Sequence, residues 1–348
     1  MLRRSSVLFS FAAVCAVLAI SVAMRTGDAP GSQMKSFASA WLETLDDAQK
    51  AKALVPYESG DRTTWNFIPL PTRKGLPLME MNVAQQAGAL RTVRAALSES
   101  GYDKASKIMQ MESVLRVLEG PGSEEKRNPE KYYTTIYGTP SDSDAWGFSF
   151  EGHHLSLNFV CRGGVVVDSS PQFFAANPAK LASDVKGPLP KGTRILRLEE
   201  DLAFDLINQL SEPLRDKATI GQEALKEIRF AALPQPEVSA PEGLSMNEMD
   251  VESKGRLTKL IELYANAVPD DVAKERMRII NSDGPKNIHF AWAGATKPGI
   301  GHYYRVQGKS FLLEFVNTQP DAEGNPANHI HAVYRDLTGD FDLPISSK

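Results

Sequence analysis

The sequence predicts an α+β protein of two pseudo-repeated halves, each made of helices followed by an antiparallel β-hairpin, joined in one unit. Two internal matches carry this reading. Trp146–Val160 aligns without a gap on His302–Val316, and Gly75–Val83 aligns on Gly243–Val251 in the same order upstream. Composition supports it: 42% hydrophobic, 24% charged, with 25 Gly and 22 Pro in 348 residues. Such a chain is globular rather than disordered or fibrous, and long enough for one large or two ordinary domains.

Taken in order, residues 1–23 read as a secretory signal peptide. Arg3 and Arg4 precede the apolar run Ser5–Met24, which holds the small residues Ser21, Val22 and Ala23 near its end. The same run is long enough to act as an uncleaved membrane anchor. The expected location is therefore exported, periplasmic or extracellular, or membrane-anchored where the segment stays.

Residues 40–232 form the first predicted half. Asn82 stands where an N-cap belongs, and Ala89, Val93, Ala96 and Leu97 follow at helical spacing. The polar loop Glu119–Pro129 holds the residues by which this half exceeds the other. Alternating residues on both sides of Gly152 predict a hairpin. A helix is expected over Leu198–Leu214, then a Pro-rich link over 233–242. The second half, 243–341, repeats the pattern with Asp250 as N-cap, Leu257, Leu260, Ile261 and Tyr264 on a helix face, and Gly308 in the hairpin turn. Residues 342–348 are a tail.

Several functions are excluded. The net charge is −4, with no basic run beyond the first few residues, so nucleic acid is not an expected partner. Cys15 and Cys161 are too few for a disulfide scaffold or a thiolate zinc site, and Cys161 lies among apolar strand residues as a buried thiol. There is no Gly-x-Ser-x-Gly elbow, phosphate-binding loop or His-Glu-x-x-His helix.

The stretches Trp65-Asn-Phe-Ile-Pro69, Arg73-Lys-Gly-Leu-Pro77 and Gly152-His-His-Leu-Ser-Leu-Asn158 are similar to the bacterial domain-of-unknown-function 3500 family. So are Gly301-His-Tyr-Tyr304, Glu314-Phe-Val-Asn-Thr-Gln319 and Asn328-His-Ile-His-Ala-Val-Tyr-Arg-Asp336. The resemblance runs from about Ala40 to Phe341. It implies no activity, so the chemistry must come from the side chains.

The chain has six histidines: His153, His154, His289, His302, His329 and His331. His329 and His331 share one face of a strand, their imidazoles about 7 Å apart along it, a spacing that can chelate a metal. Glu314 is costly to bury in an apolar strand without a partner, and His302 opens the same hairpin. The expected site is one metal ion held by His302, Glu314, His329 and His331, with His154 approaching from the other half. The first half has Asn158 where the second has Glu314, so a single site is expected. Imidazole and carboxylate ligands suit Zn, Fe, Mn or Cu. Arg335, on the same face, is a candidate anion contact. His289 reads as a strand start and His153 as a turn residue; Trp65, Phe67, Trp146, Tyr303, Tyr304 and Tyr334 read as core aromatics. The expected function is a metal-dependent enzyme acting on a small polar or anionic substrate. The alternatives are a non-catalytic metal- or ligand-binding protein and a structural domain without metal.

Overall fold

The structure is a computed structural model that describes residues 29–237 and 239–344; the signal-peptide reading of residues 1–23 lies outside them. Local chemistry sets the helices. Pro30, at the first turn, opens α1 (Pro30–Glu43), and a capping box of Asp46 and Gln49 opens α2 (Asp47–Ala53). Asn82 and Gln85 form the same box on α3 (Val83–Ala96), Ser98 caps α4 (Glu99–Glu119), and Gly120 at φ 77° ends it. Leu198–Leu214 is not one helix. It divides into α5 (Arg197–Gln209) and α6 (Glu212–Ala218), because Pro213 suits a first turn and not an interior. Asp250 caps α7 (Val251–Ala265), and α8 spans Asp270–Asp283. Among the described residues no helix is long and apolar enough to cross a membrane.

The strands are β1 (Leu54–Val55), β2 (Leu76–Pro77), β3 (Tyr133–Tyr137), β4 (Trp146–Gly152), β5 (Leu155–Arg162), β6 (Val165–Asp168) and β7 (Gln172–Ala176). After α6 come β8 (Thr219–Gly221), β9 (Leu244–Ser245), β10 (His289–Gly294), β11 (His302–Gln307), β12 (Phe311–Asn317) and β13 (Ile330–Asp336). They make one mixed 13-stranded sheet, ordered β1-β3-β4-β5-β7-β13-β12-β11-β10-β8, with β2, β6 and β9 paired beside this path. Both edges are short parallel strands, β1 on β3 and β8 on β10. At the centre β7 and β13 run antiparallel, with Gln172 opposite Tyr334.

Strand alternation gives the sheet two unlike faces. One buries Trp146, Phe148, Leu157, Trp292, Tyr304 and Phe315 against the helices in the main core. The other carries Phe173, Ala175, Tyr303, Val316 and Val333 in a smaller cluster with Trp65, Phe67 and Ile228. Those last three come from coil: Trp65 and Phe67 follow a short 3-10 turn (Gly60–Thr63), and Ile228 lies within 222–243. The Pro-rich stretch is therefore not a free link, since the Leu233 carbonyl accepts bonds from Trp65 and from Arg335.

Candidate metal centre

Two residues, His153 and His154, turn β4 into β5, with Gly152 opposite Leu155. Gly152 is required there, because a Cβ would lie 2.3 Å from the Tyr132 ring. His154 holds φ 63°, unusual for a side-chain-bearing residue. Its backbone is pinned from both sides: its N–H donates to the Phe67 carbonyl at 2.9 Å and its carbonyl accepts from Ala175 at 2.9 Å. A strained histidine so held is a pointer to function.

His331 lies on β13 between Val316 and Ala175, and His329 immediately precedes the strand, its N–H bonded to Asn317 Oδ1 at 3.0 Å. The three imidazoles converge. His329 Nε2 is 2.9 Å from His154 Nε2 and 3.0 Å from His331 Nε2. These three residues form a group able to hold a metal ion.

One outer nitrogen has a carboxylate acceptor: His331 Nδ1 lies 2.8 Å from both carboxylate oxygens of Glu227. Fixing the proton on the outer nitrogen leaves a lone pair on the inner one. Burial, aided by the neighbouring imidazoles, depresses His154 well below the ordinary histidine pKa. The same causes, burial first and then His331, bring His329 to about 3. Both rings are neutral at pH 7. Phe67 packs edge-on to His331 at 5.0 Å and stacks on Phe173 at 4.1 Å, so an apolar wall closes that side.

The other expected site residues lie elsewhere. His302 has the opposite strand parity and sits in the helix-side core, stacked on Trp292 at 5.7 Å, with Nδ1 bonded to the Ile300 carbonyl at 2.8 Å. It does not join the group. Glu314 shares the triad's face but accepts instead from the Tyr303 hydroxyl and from the Arg229 N–H at 3.2 Å. Burial raises its pKa. Arg335 presents nothing to an anion: it is 1% exposed, pairs with Asp340 at 2.6 Å, and donates to the Phe230, Leu233 and Pro234 carbonyls. Cys161 is buried, its thiol pushed up to about 12. His289 begins β10.

Residues 27–343 match the family described as "Protein of unknown function (DUF3500)". The chain belongs to that family. No curated protein and no solved structure matches it.

Two parts of the centre escaped sequence reasoning. His153 is more than a turn residue, for its ring stacks on His154 at 3.7 Å and its Nδ1 is 2.5 Å from Glu112. Arg127 Nη1 approaches the same nitrogen at 2.9 Å. Glu112, raised to about 8 mainly by burial and opposed by Arg127, had a readable signal: it is an acid on the buried face of α4, beside Met111 and Leu115. Glu227 had none, lying in coil far from any histidine in sequence.

Proposed function

We propose that this protein binds one divalent transition-metal ion through His154, His329 and His331, with Glu227 orienting His331, and that the ion acts on a small polar or anionic substrate. The supporting observation is the convergence of three ring nitrogens. His329 Nε2 sits 2.9 Å from His154 Nε2 and 3.0 Å from His331 Nε2, and burial holds His154 and His329 neutral. A proton relieves one such contact, whereas a cation bonded to all three relieves every one. An all-imidazole set without thiolate or carboxylate suits Zn or Cu better than Mg or Ca. Among the described residues no fourth His, Cys, Asp or Glu joins the group. Three protein ligands leave a position where a metal can bind water or substrate, the arrangement of catalytic rather than closed structural sites.

Metal analysis decides this. The wild-type protein should carry about one ion per chain. Replacing both His329 and His331 by Ala should abolish that while the far-UV circular dichroism is kept, and His302→Ala should leave it intact. A double variant that still binds stoichiometrically overturns the reading. X-ray absorption should show imidazole nitrogens at about 2.0–2.1 Å; a full protein shell of four ligands would favour metal carriage over catalysis.

Two further readings belong to the same proposal. The halves 40–232 and 243–341 descend from one duplicated unit: in support, β3-β4-β5-β7 and β10-β11-β12-β13 each run inward as four antiparallel neighbours, meeting at Gln172 and Tyr334. A crystal structure in which hairpins 146–160 and 302–316 fail to superpose within their halves overturns it. The chain is exported and begins near Met24 when mature; an intact Met1 on cytosolic protein from the native host would sink that.

A further inference from the structure

We propose that residues 222–229 are a latch over the metal centre, fastened by Glu227 to His331, and that the ion enters and leaves when this segment lifts. The inference rests on the metal reading above.

Residues 222–243 join β8 to β9, and both of those strands pair with β10 near one side of the sheet. A short turn would connect them. Instead the chain crosses β11 and β12 to reach β13 at the centre and returns, with no helix or strand among its described residues. Long structureless excursions in compact domains are usually binding loops or lids.

The two parts of this excursion are held differently. Residues 230–234 are clamped by buried donors: Arg335 takes the carbonyls of Phe230, Leu233 and Pro234, and Trp65 Nε1 donates to Leu233 at 2.8 Å. Residues 222–229 have lighter fastenings. Thr318 Oγ1 reaches the Lys226 carbonyl at 3.3 Å, the Arg229 N–H reaches Glu314 at 3.2 Å, and Ile228 tucks into the apolar cluster. The strongest of them is Glu227 on His331, at 2.8 Å through both oxygens, with the Glu227 side chain one-third exposed. The clamped part holds two non-glycine residues in left-handed conformation, Phe230 at φ 57° and Ala232 at φ 60°. Such strain persists only where surroundings enforce it, and the Arg335 and Trp65 donors enforce it here, so the clamped part is the fixed base from which 222–229 lifts.

Access gives the latch its purpose. His154 and His331 are each 4% exposed while His329 is partly exposed, and the stacked Phe67 and Phe173 rings wall one side of His331. Glu227 then has two tasks in one contact: it keeps the His331 lone pair aimed at the ion, and it keeps the covering segment down. Carboxylates that orient a ligating histidine typically change metal affinity by about 10–100-fold when removed.

The test uses full-length protein loaded with Zn or Cu. Extraction of the ion by excess chelator should be at least about tenfold faster in Glu227→Ala than in wild type, with Glu227→Gln between them. Hydrogen exchange in wild type should show the amides of 223–229 protected when loaded and faster after metal removal, with 230–234 unchanged. Equal extraction rates in all three proteins, or exchange at 223–229 that ignores the metal, overturn the latch. A wild-type protein that takes up no metal at all overturns the underlying site instead.

Discussion

His302 and His331 lie two strands apart in one sheet, both almost inaccessible, on opposite faces. Their surroundings differ in kind. Around His302 are three rings, Phe204 at 4.6 Å, Trp292 at 5.7 Å and Phe315 at 5.8 Å, and the Glu200 carboxylate, 3.3 Å from its Nε2, on the face that helices cover. Around His331 are a carboxylate, two histidines and the edges of Phe67 and Phe173 on the face that coil covers. Helices satisfy their own backbone groups and offer a sheet only side chains, so packing dominates there. Coil brings unpaired carbonyls and amides, each needing a partner. The coil-covered face accordingly holds Arg335 under three carbonyls and Glu314 under an amide. Buried polar groups on each face are partnered by what the covering layer offers, helix side chains such as Glu200 on one and coil backbone on the other, and the triad lies on the coil side.

The largest effect expected from this contrast is on stability. Trp292→Ala removes a ring with no exposed surface from the helix-side core and should cost about 3–5 kcal/mol. Metal stoichiometry should stay at one per chain under conditions where the variant is folded. Denaturant unfolding with parallel metal analysis checks this, and loss of the ion from folded Trp292→Ala would mean that the two faces are not independent.

A smaller effect appears with pH in metal-free protein. His154 and His329 are depressed in the folded chain, so below about 6.5 the unfolded chain takes up protons that the folded one refuses. Their contribution therefore destabilises progressively as pH falls from 6.5 toward 3, by up to about 1.4 kcal/mol per pH unit for each ring. Glu112 and Asp168 act with the opposite sign. Both are raised to about 8, chiefly by burial, and the stability they contribute is complete below the unfolded value and lost as pH rises through 8. Comparing wild type with His329→Asn isolates one histidine from these acids. The variant should have a shallower slope between 6.5 and 3, and an unchanged slope would show that the ring is not held neutral.

Much of the fold was legible because it rests on local rules. The capping acceptors Asn82 and Asp250, the alternation through the hairpins and the turn glycines mark their elements directly. The site was legible only along a single strand. His329 and His331 are tied by alternation, but alternation gives no parity between strands, so nothing in the sequence placed His302 on the far face. That parity follows from the register, Glu314 opposite both Arg305 and Val333, which pairing alone reveals. The partnership of His154 with the later pair depends on β7 and β13 meeting at the centre, and Glu227 depends on the path of a coil. The burial of Arg335 is hidden for a related reason: besides Asp340, its partners are backbone carbonyls, which carry no residue signature.

The smallest expected effect makes the sharpest test of where the centre ends. Glu314 is on the same face as His331 and is fully buried. If it were a ligand, it would have to be ionised and its replacement would release the metal. The geometry assigns it another task. Burial favours its neutral form, and one of its oxygens serves the Tyr303 hydroxyl and the Arg229 amide. Gln keeps that carbonyl acceptor and carries no charge, so Glu314→Gln should change stability at pH 7 by less than about 1 kcal/mol. Bound metal should be unchanged. Glu314→Ala would strand both donors and cost more, about 1–3 kcal/mol, again without loss of the ion. Should Glu314→Gln empty the site instead, the boundary drawn around His154, His329 and His331 is too tight, and the buried carboxylate belongs within it.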